Sequence, residues 1–290
     1  MRNNLVISPG SVVPLRGIRV VPVLLTLLVA GVASAHDTWL LPASMRVPVG
    51  RAVMISLTSG MAFPADDFAI NPSRLARAQV RLGGATDRLA SPVHGDRALR
   101  FRWRPARAGV ATLAVELAPK TLTLAPGLIG EYLDEIDASP ALRAAWAALP
   151  TPKQWRERYV KHAASFVRVG TVSGDTSWAT PMGMGLEIVP LADPTALVAG
   201  DSLAVRVLRG GRPHAGFAIA SRPAGEGIAR QVTTGADGRA TILLPTAGRW
   251  MLSGTDLRRS AAAGLEWESD FVTMTIGVGA RGRGGRGRER

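Results

Sequence analysis

The chain has 290 residues, of which 47% are hydrophobic, a formal net charge of +13 and no cysteine. This length exceeds a typical domain of about 100 to 150 residues, so two domains with sizeable cores are expected. The hydrophobic fraction excludes a largely disordered chain. The lack of cysteine excludes disulfides, cysteine nucleophiles and thiolate-bound metals, so any metal would need nitrogen, carboxylate or thioether ligands.

The N-terminal segment has the order of features found in export signals. Arginines precede an apolar run over residues 20–32, and Ala33-Ser34-Ala35 supplies the small residues that signal peptidase accepts. We therefore predict a signal peptide over residues 1–35, cleavage after Ala35, and a periplasmic or secreted protein without a stable membrane span. The apolar run is short and contains Pro22, which makes a retained anchor the less favoured alternative.

Much of the positive charge lies at the two ends of the chain. Arginines precede the apolar run, and residues 279–290 hold five more arginines among glycines. This tail has too few apolar side chains to build a core, so we predict that it is disordered. Because no basic stripe with interleaved aromatic residues occurs elsewhere, specific nucleic-acid binding is not expected.

Cleavage after Ala35 would make His36 the first residue of the mature protein. A terminal histidine offers its α-amino nitrogen and a ring nitrogen to the same ion, and both can lose their protons to a metal near neutral pH. Copper(II) and nickel(II) prefer such nitrogen ligands. The sequence therefore predicts a chelating terminus, and the alternative is that cleavage exposes an ordinary histidine.

Two stretches of the mature chain have the glycine turns and alternating residues of β-sandwiches. The first includes residues 50–57 and 108–115, and the second includes residues 200–208, the turn Asp237-Gly238 and the closing run 271–276. We predict a mainly β fold with two Ig-like or transthyretin-like sandwich modules, over residues 36–125 and 171–278.

A helical insertion is predicted between the modules, over residues 126–170. Apolar residues recur at helical spacing from Leu128 to Ile136, and Ser139-Pro140 is typical of a helix start. Thr151 and Gln154 have the spacing of a capping box, and the apolar residues that follow, up to Phe166, can share one helical face. The pattern thus predicts a third helix, with His162 on its apolar face.

Other candidate sites are weaker. Met182 and Met184 could offer thioethers to copper(I), but two methionines two apart also describe one face of a packed strand. Acidic pairs such as Glu266 and Glu268 would suit glycoside hydrolysis only if the fold set them across a groove. Because no nucleophile elbow or zinc-protease helix motif occurs, we do not expect an enzyme.

Several segments of the chain resemble a bacterial periplasmic family of unknown function, domain of unknown function 4198, which is associated with nickel or cobalt uptake. The segments that carry the resemblance are Ala35-His36-Asp37-Thr38-Trp39-Leu40-Leu41-Pro42, Glu131-Tyr132-Leu133, Arg158-Tyr159-Val160-Lys161-His162-Ala163, Leu186-Glu187-Ile188-Val189-Pro190 and Trp267-Glu268-Ser269. The resemblance implies a transthyretin-like or carboxypeptidase-regulatory-like C-terminal module and a divalent-metal role near the mature terminus. His36 and Asp37 match the opening motif, and Glu187 matches a recurrent glutamate. Residues 252–255 lack a histidine that some members have, which weakens the case for a multi-histidine cage.

Together these observations predict an exported, non-enzymatic protein that binds a divalent transition metal, nickel or cobalt by resemblance and copper by ligand chemistry. The predicted metal ligands are His36, Asp37, His162 and Glu187. The expected partner is a metal-uptake transporter or another envelope protein. The alternative is a metal-free interaction module that binds an envelope protein or a glycan.

Overall fold

The computed structural model describes residues 36–172, 174–225 and 230–282. The predicted signal peptide, residues 1–35, and residues 283–290 of the predicted tail lie outside this part of the chain. No helix in the described ranges has the length and apolar character needed to span a membrane.

The described residues are mainly β. The strands are β1 Asp37–Pro42, β2 Arg46–Val47, β3 Val53–Gly60, β4 Phe68–Ala69, β5 Leu75–Leu82, β6 Ala85–Arg88, β7 Val93–His94, β8 Leu99–Trp103, β9 Gly109–Leu117, β10 Lys120–Leu124, β11 Trp155–Val169, β12 Leu186–Pro190, β13 Asp201–Arg209, β14 Arg212–Pro213, β15 Ala218–Pro223, β16 Arg230–Thr233, β17 Arg239–Leu244, β18 Gly248–Arg259 and β19 Trp267–Val278. The α-helices are α1 Ile129–Glu135 and α2 Pro140–Ala147, and short 3-10 helices cover Pro72–Arg74, Pro126–Leu128 and Ser177–Ala179.

These strands form three sheets. A ten-stranded sheet has the order β16-β15-β18-β19-β11-β9-β5-β6, with β10 and β2 also paired to β11. A five-stranded sheet has the order β1-β3-β8-β7, with β4 paired to β3, and a four-stranded sheet is formed by β12-β13-β14 with β17 paired to β13. At the centre of the large sheet, β11 and β19 run parallel to each other.

The two smaller sheets pack on opposite faces of the ten-stranded sheet. Side chains of β3 and β8 form one core with Ala163 and Val167 of β11, whereas side chains of β12, β13 and β17 form another with Phe166. Odd-numbered and even-numbered residues of a strand point to opposite faces, which explains this division. The middle of β11 is therefore buried on both faces, as expected for a strand with a parallel neighbour in a covered sheet.

The predicted third helix is wrong, because residues 155–169 form the long strand β11. Residues four apart, such as Trp155 and Tyr159, lie on the same side of a helix and also on the same side of a strand. The alternation that would have indicated a strand is obscured because the inward positions include the charged residues Glu157 and Lys161, both buried. Helices α1 and α2 lie in the predicted insertion, and Ser139 caps α2 by accepting the Leu142 N–H at 3.3 Å.

The predicted strands and turns of both sandwich stretches are present, including the Asp237-Gly238 turn before β17 and the closing strand within β19. The division into two separate modules is not confirmed. The ten-stranded sheet combines β5 and β9 from the first predicted module with β18 and β19 from the second. Strand β11 joins them, because it pairs with β9 on one side and with β19 on the other.

Candidate functional site

Glu187, one of the predicted metal ligands, lies buried on β12 and orders the loop that precedes this strand. Its carboxylate accepts the main-chain N–H of Met182 at 2.7 Å and also that of Met184. Burial raises the pKa of Glu187, and the N–H donors act against this rise. Met182 and Met184 are themselves buried beside Ala114 and Ala164, which agrees with their interpretation as packing residues.

His162, another predicted metal ligand, lies on β11 between two carboxylates. Its Nε2 is 2.9 Å from Oδ1 of Asp270, and its Nδ1 is 3.2 Å from Oε2 of Glu116. Burial acts against the charged imidazolium, but the two carboxylates outweigh it and the pKa of His162 is raised. Nε2 is hydrogen-bonded to Asp270, whereas Nδ1 lies within ion-pair distance of Glu116 without a hydrogen bond, so the two carboxylates favour the protonated ring.

A charged network extends from His162 along β18 and β19. Arg258 donates to Asp270 at 2.7 Å and also bridges Asp256 and Glu268, at 3.2 and 3.3 Å. Asp256 in turn lies 3.2 Å from Nε2 of His214. Paired charges of this kind satisfy each other where side chains are withdrawn from water.

Asp37, at the start of β1, is held by an arginine. Its Oδ2 lies 2.6 Å from Nη2 of Arg222, on strand β15 of the ten-stranded sheet. Burial raises the pKa of Asp37, and the charges of Arg222 and Lys161 act in the opposite direction. Asp37 therefore fastens β1 to the ten-stranded sheet.

Three main-chain carbonyls on the outer edge of β1 accept hydrogen bonds from side chains of the ten-stranded sheet. Each bond is 2.6 Å long, and the pairs are Lys161 Nζ to His36 O, Thr273 Oγ1 to Thr38 O, and Thr275 Oγ1 to Leu40 O. Burial lowers the pKa of Lys161 to about 8. The chain is thus anchored from His36, the residue before β1, to Leu40 within the strand.

His36 itself is held on the surface of the fold. Its ring stacks on Phe68, with the ring centroids 5.4 Å apart and the ring planes at 11°. Burial, followed by the charge of Lys161, lowers the pKa of His36, whereas Asp67 and Asp37 act to raise it. The lowered pKa favours the neutral imidazole, the form that binds metals.

The surroundings of His36 depend on a glycine in the adjacent strand. Gly60 pairs with Asp37, and a Cβ added at Gly60 would lie 2.8 Å from Cβ of Asp67. The missing side chain lets the segment before β4 pack closely against the end of β3. Thr58 fixes this segment, because its Oγ1 accepts the Asp67 N–H at 3.0 Å.

The four predicted ligands do not meet at one point. Within residues 36–172, 174–225 and 230–282, no three side chains of histidine, aspartate or glutamate are arranged to share a metal ion. Asp37 pairs with an arginine, and His162 lies between two carboxylates. Glu187 accepts two main-chain N–H groups. The residues that contact His36, namely Lys161 and Phe68, were not identified as its partners from the sequence, because only the arrangement of the strands brings them together.

Comparison with known proteins gives limited likeness to solved structures, and no curated protein matches the chain. The chain is similar to the D0-D1 domain of intimin, with 11% identity, a TM-score of 0.22 and coverage of 83% of this chain and 97% of that one. It is also similar to the human OSCAR ligand-binding domain, with 12% identity, a TM-score of 0.20 and coverage of 83% and 98%. It is similar as well to the Yersinia pseudotuberculosis adhesin InvE, with 11% identity, a TM-score of 0.21 and coverage of 83% of this chain and 59% of that one. Similarity at this level indicates neither a shared function nor a shared topology.

A family model covers most of the chain. It matches residues 33–255, a range that includes His36, Glu116, His162 and Glu187 but ends before Asp256, Arg258 and Asp270 of the charged network. The chain belongs to this family, DUF4198, a domain of unknown function.

Proposed function

We propose that the mature protein is exported, begins at His36, and binds a divalent transition ion through the α-amine and imidazole of that residue. The ion is then presented to a metal-uptake transporter or another component of the envelope. Nickel or cobalt is the cargo suggested by the family resemblance, and two nitrogen donors also suit copper(II).

The observation that carries this proposal is the anchoring of His36. Its carbonyl accepts a 2.6 Å hydrogen bond from Lys161, and its ring stacks on Phe68. A chelating residue fixed in this way loses little further freedom on binding, which favours affinity. A histidine on a flexible N-terminal segment would lose conformational freedom when it bound the ion, and this loss would weaken binding.

The donors at His36 fit a nitrogen-seeking ion. Among the described residues no protein group forms a hydrogen bond with the His36 ring, in contrast to His162, whose two nitrogens face carboxylates. The lowered pKa of His36 favours the unprotonated ring, the form that binds a metal. Asp67 contributes negative charge nearby, which favours a cation.

The decisive experiment compares protein that begins at His36 with protein that retains Ala35. Retention of one residue converts the His36 amine into an amide and leaves the folded body intact. The extended protein is also acetylated at the Ala35 amine, so that this amine cannot form a substitute chelate with the amide and the ring. We expect calorimetry to show at least tenfold weaker nickel(II) and copper(II) binding for the extended protein, or about 1.4 kcal/mol. Proton release on binding should also decrease.

The matched control is His94→Gln, which removes an exposed histidine of β7. This variant should bind both ions like the unchanged protein that begins at His36. Equal affinities of the processed and extended proteins would refute the terminal chelate. Mass spectrometry of the exported protein gives an independent test, because any start other than His36 removes the amine from the site.

A further inference from the structure

An exposed methionine follows the end of β3, at the point where His36 leads into β1. Met61 is 61% exposed, whereas Met182, Met184, Met251 and Met274 are buried. The pairing of β1 with β3 ends at Asp37 and Gly60. The residues just beyond this pair are His36, which precedes β1, and Met61, which follows β3. Residues directly opposite on antiparallel strands lie about 5 Å apart, so His36 and Met61 leave the ladder from neighbouring points at the Asp37–Gly60 pair.

The neighbouring carboxylate is also available. Asp67 flanks Gly60 on the side away from β1, and its Oδ2 would lie 3.0 Å from a Cβ at Gly60. The Asp67 main chain is bonded to Thr58, but within the described ranges its carboxylate has no hydrogen bond or ion pair. It differs in this respect from Asp37, which Arg222 occupies.

The donor types near His36 are therefore mixed. An imidazole and, after processing, an amine supply nitrogen, Met61 supplies a soft thioether, and Asp67 supplies a hard oxygen. Nickel(II) and cobalt(II) use the nitrogen and oxygen donors, whereas a thioether is a ligand that selects copper(I).

We propose that the thioether of Met61 joins His36 in the site, so that the protein binds copper(I) and takes copper as its cargo. This inference rests on the proposed function, because it requires His36 as a ligand. Met61 adds selectivity for the ion, and the amine and ring of His36 add affinity for any nitrogen-seeking ion.

The test uses protein that begins at His36, together with its Met61→Leu and Met54→Leu variants. Met54 is the matched control, because it is also exposed and lies on β3, opposite Arg102. Copper(I) affinity is measured anaerobically by competition with a chromophoric chelator, and nickel(II) affinity by calorimetry. The exposure of Met61 predicts an unchanged melting temperature, which is measured for each variant.

We expect Met61→Leu to weaken copper(I) binding at least tenfold and to change nickel(II) binding less than twofold, with Met54→Leu unchanged for both ions. X-ray absorption of the copper(I) complex should show a sulfur ligand that disappears in Met61→Leu. Unchanged copper(I) affinity in Met61→Leu would overturn the inference, as would equal losses for both ions.

The outcomes separate this inference from the proposed function. If the processed protein binds nickel(II) more tightly than the extended protein but Met61→Leu has no effect on copper(I), only the role of Met61 fails. If the extended and processed proteins bind nickel(II) equally, the terminal chelate fails, and the role of Met61 beside it fails too.

Discussion

Replacement of His162 by glutamine would remove the cation that separates Glu116 and Asp270. The His162 side chain is 1% exposed, and those of Asp270 and Glu116 are 12% and 26% exposed. Glutamine retains a polar end but cannot carry a positive charge. Asp270 would keep its contact with Arg258 at 2.7 Å, whereas Glu116 would keep the Gly185 N–H at 3.2 Å and the more distant Arg77 at 3.6 Å.

The size of the effect follows from these contacts. A hydrogen bond to a charged group contributes about 1.5 to 3 kcal/mol, and loss of one partner from a buried pair costs about 3 to 5 kcal/mol. The partial exposure of Glu116 and the remaining contact with Arg258 reduce this cost. We expect His162→Gln to lower the free energy of unfolding by about 2 to 4 kcal/mol, a large part of a typical total.

The loss should depend on pH in a defined direction. The pKa of His162 is raised, so its contribution to stability is fully present below its ordinary pKa of about 6.5 and declines as pH rises through the folded value. The pKa values of Asp270 and Glu116 are lowered, so their contribution is present above about pH 4 and is lost as pH falls. The difference between the two proteins should therefore be largest between about pH 4.5 and 6.5 and should narrow at alkaline pH.

Urea unfolding at a series of pH values from 5 to 9 measures this difference. His94→Gln, at an exposed position on β7, is the control and should match the unchanged protein throughout. A loss below about 0.5 kcal/mol, or a loss of the same size at every pH, would show that His162 is not the charged centre of this network.

Four further substitutions test the packing around β1 and the two α-helices. Thr273→Val removes the donor to the Thr38 carbonyl and should lower the free energy of unfolding by about 1 to 3 kcal/mol in urea titrations. Gly60→Ala should lower the free energy of unfolding by about 1 to 3 kcal/mol, because the new Cβ would overlap the segment before β4. At Gly130 in α1 a new Cβ would have nothing within 4 Å, so Gly130→Ala should leave the free energy of unfolding unchanged or raise it by up to about 1 kcal/mol, as measured by thermal unfolding. Ser139→Ala should lower the free energy of unfolding by about 1 kcal/mol through loss of the α2 cap, and an unchanged value would contradict the cap.

The sequence by itself determined the fold class and many local elements. Glycine turns and alternating residues identified strands such as β13 and β19, and Ser139-Pro140 identified the start of α2, because these signals act over a few neighbouring residues. The family resemblance also came from the sequence, and the family model that matches residues 33–255 agrees with it.

Only the tertiary structure decided the conformation of residues 155–169 and the partners of the candidate ligands. The spacing of Trp155 and Tyr159 suits both a helix and a strand, and pairing with β9 and β19 selects the strand. The contact of Lys161 with His36 joins residues 125 positions apart, and that of His162 with Asp270 spans 108 positions. Such contacts arise from the order and register of strands in the sheets, which local sequence patterns do not encode.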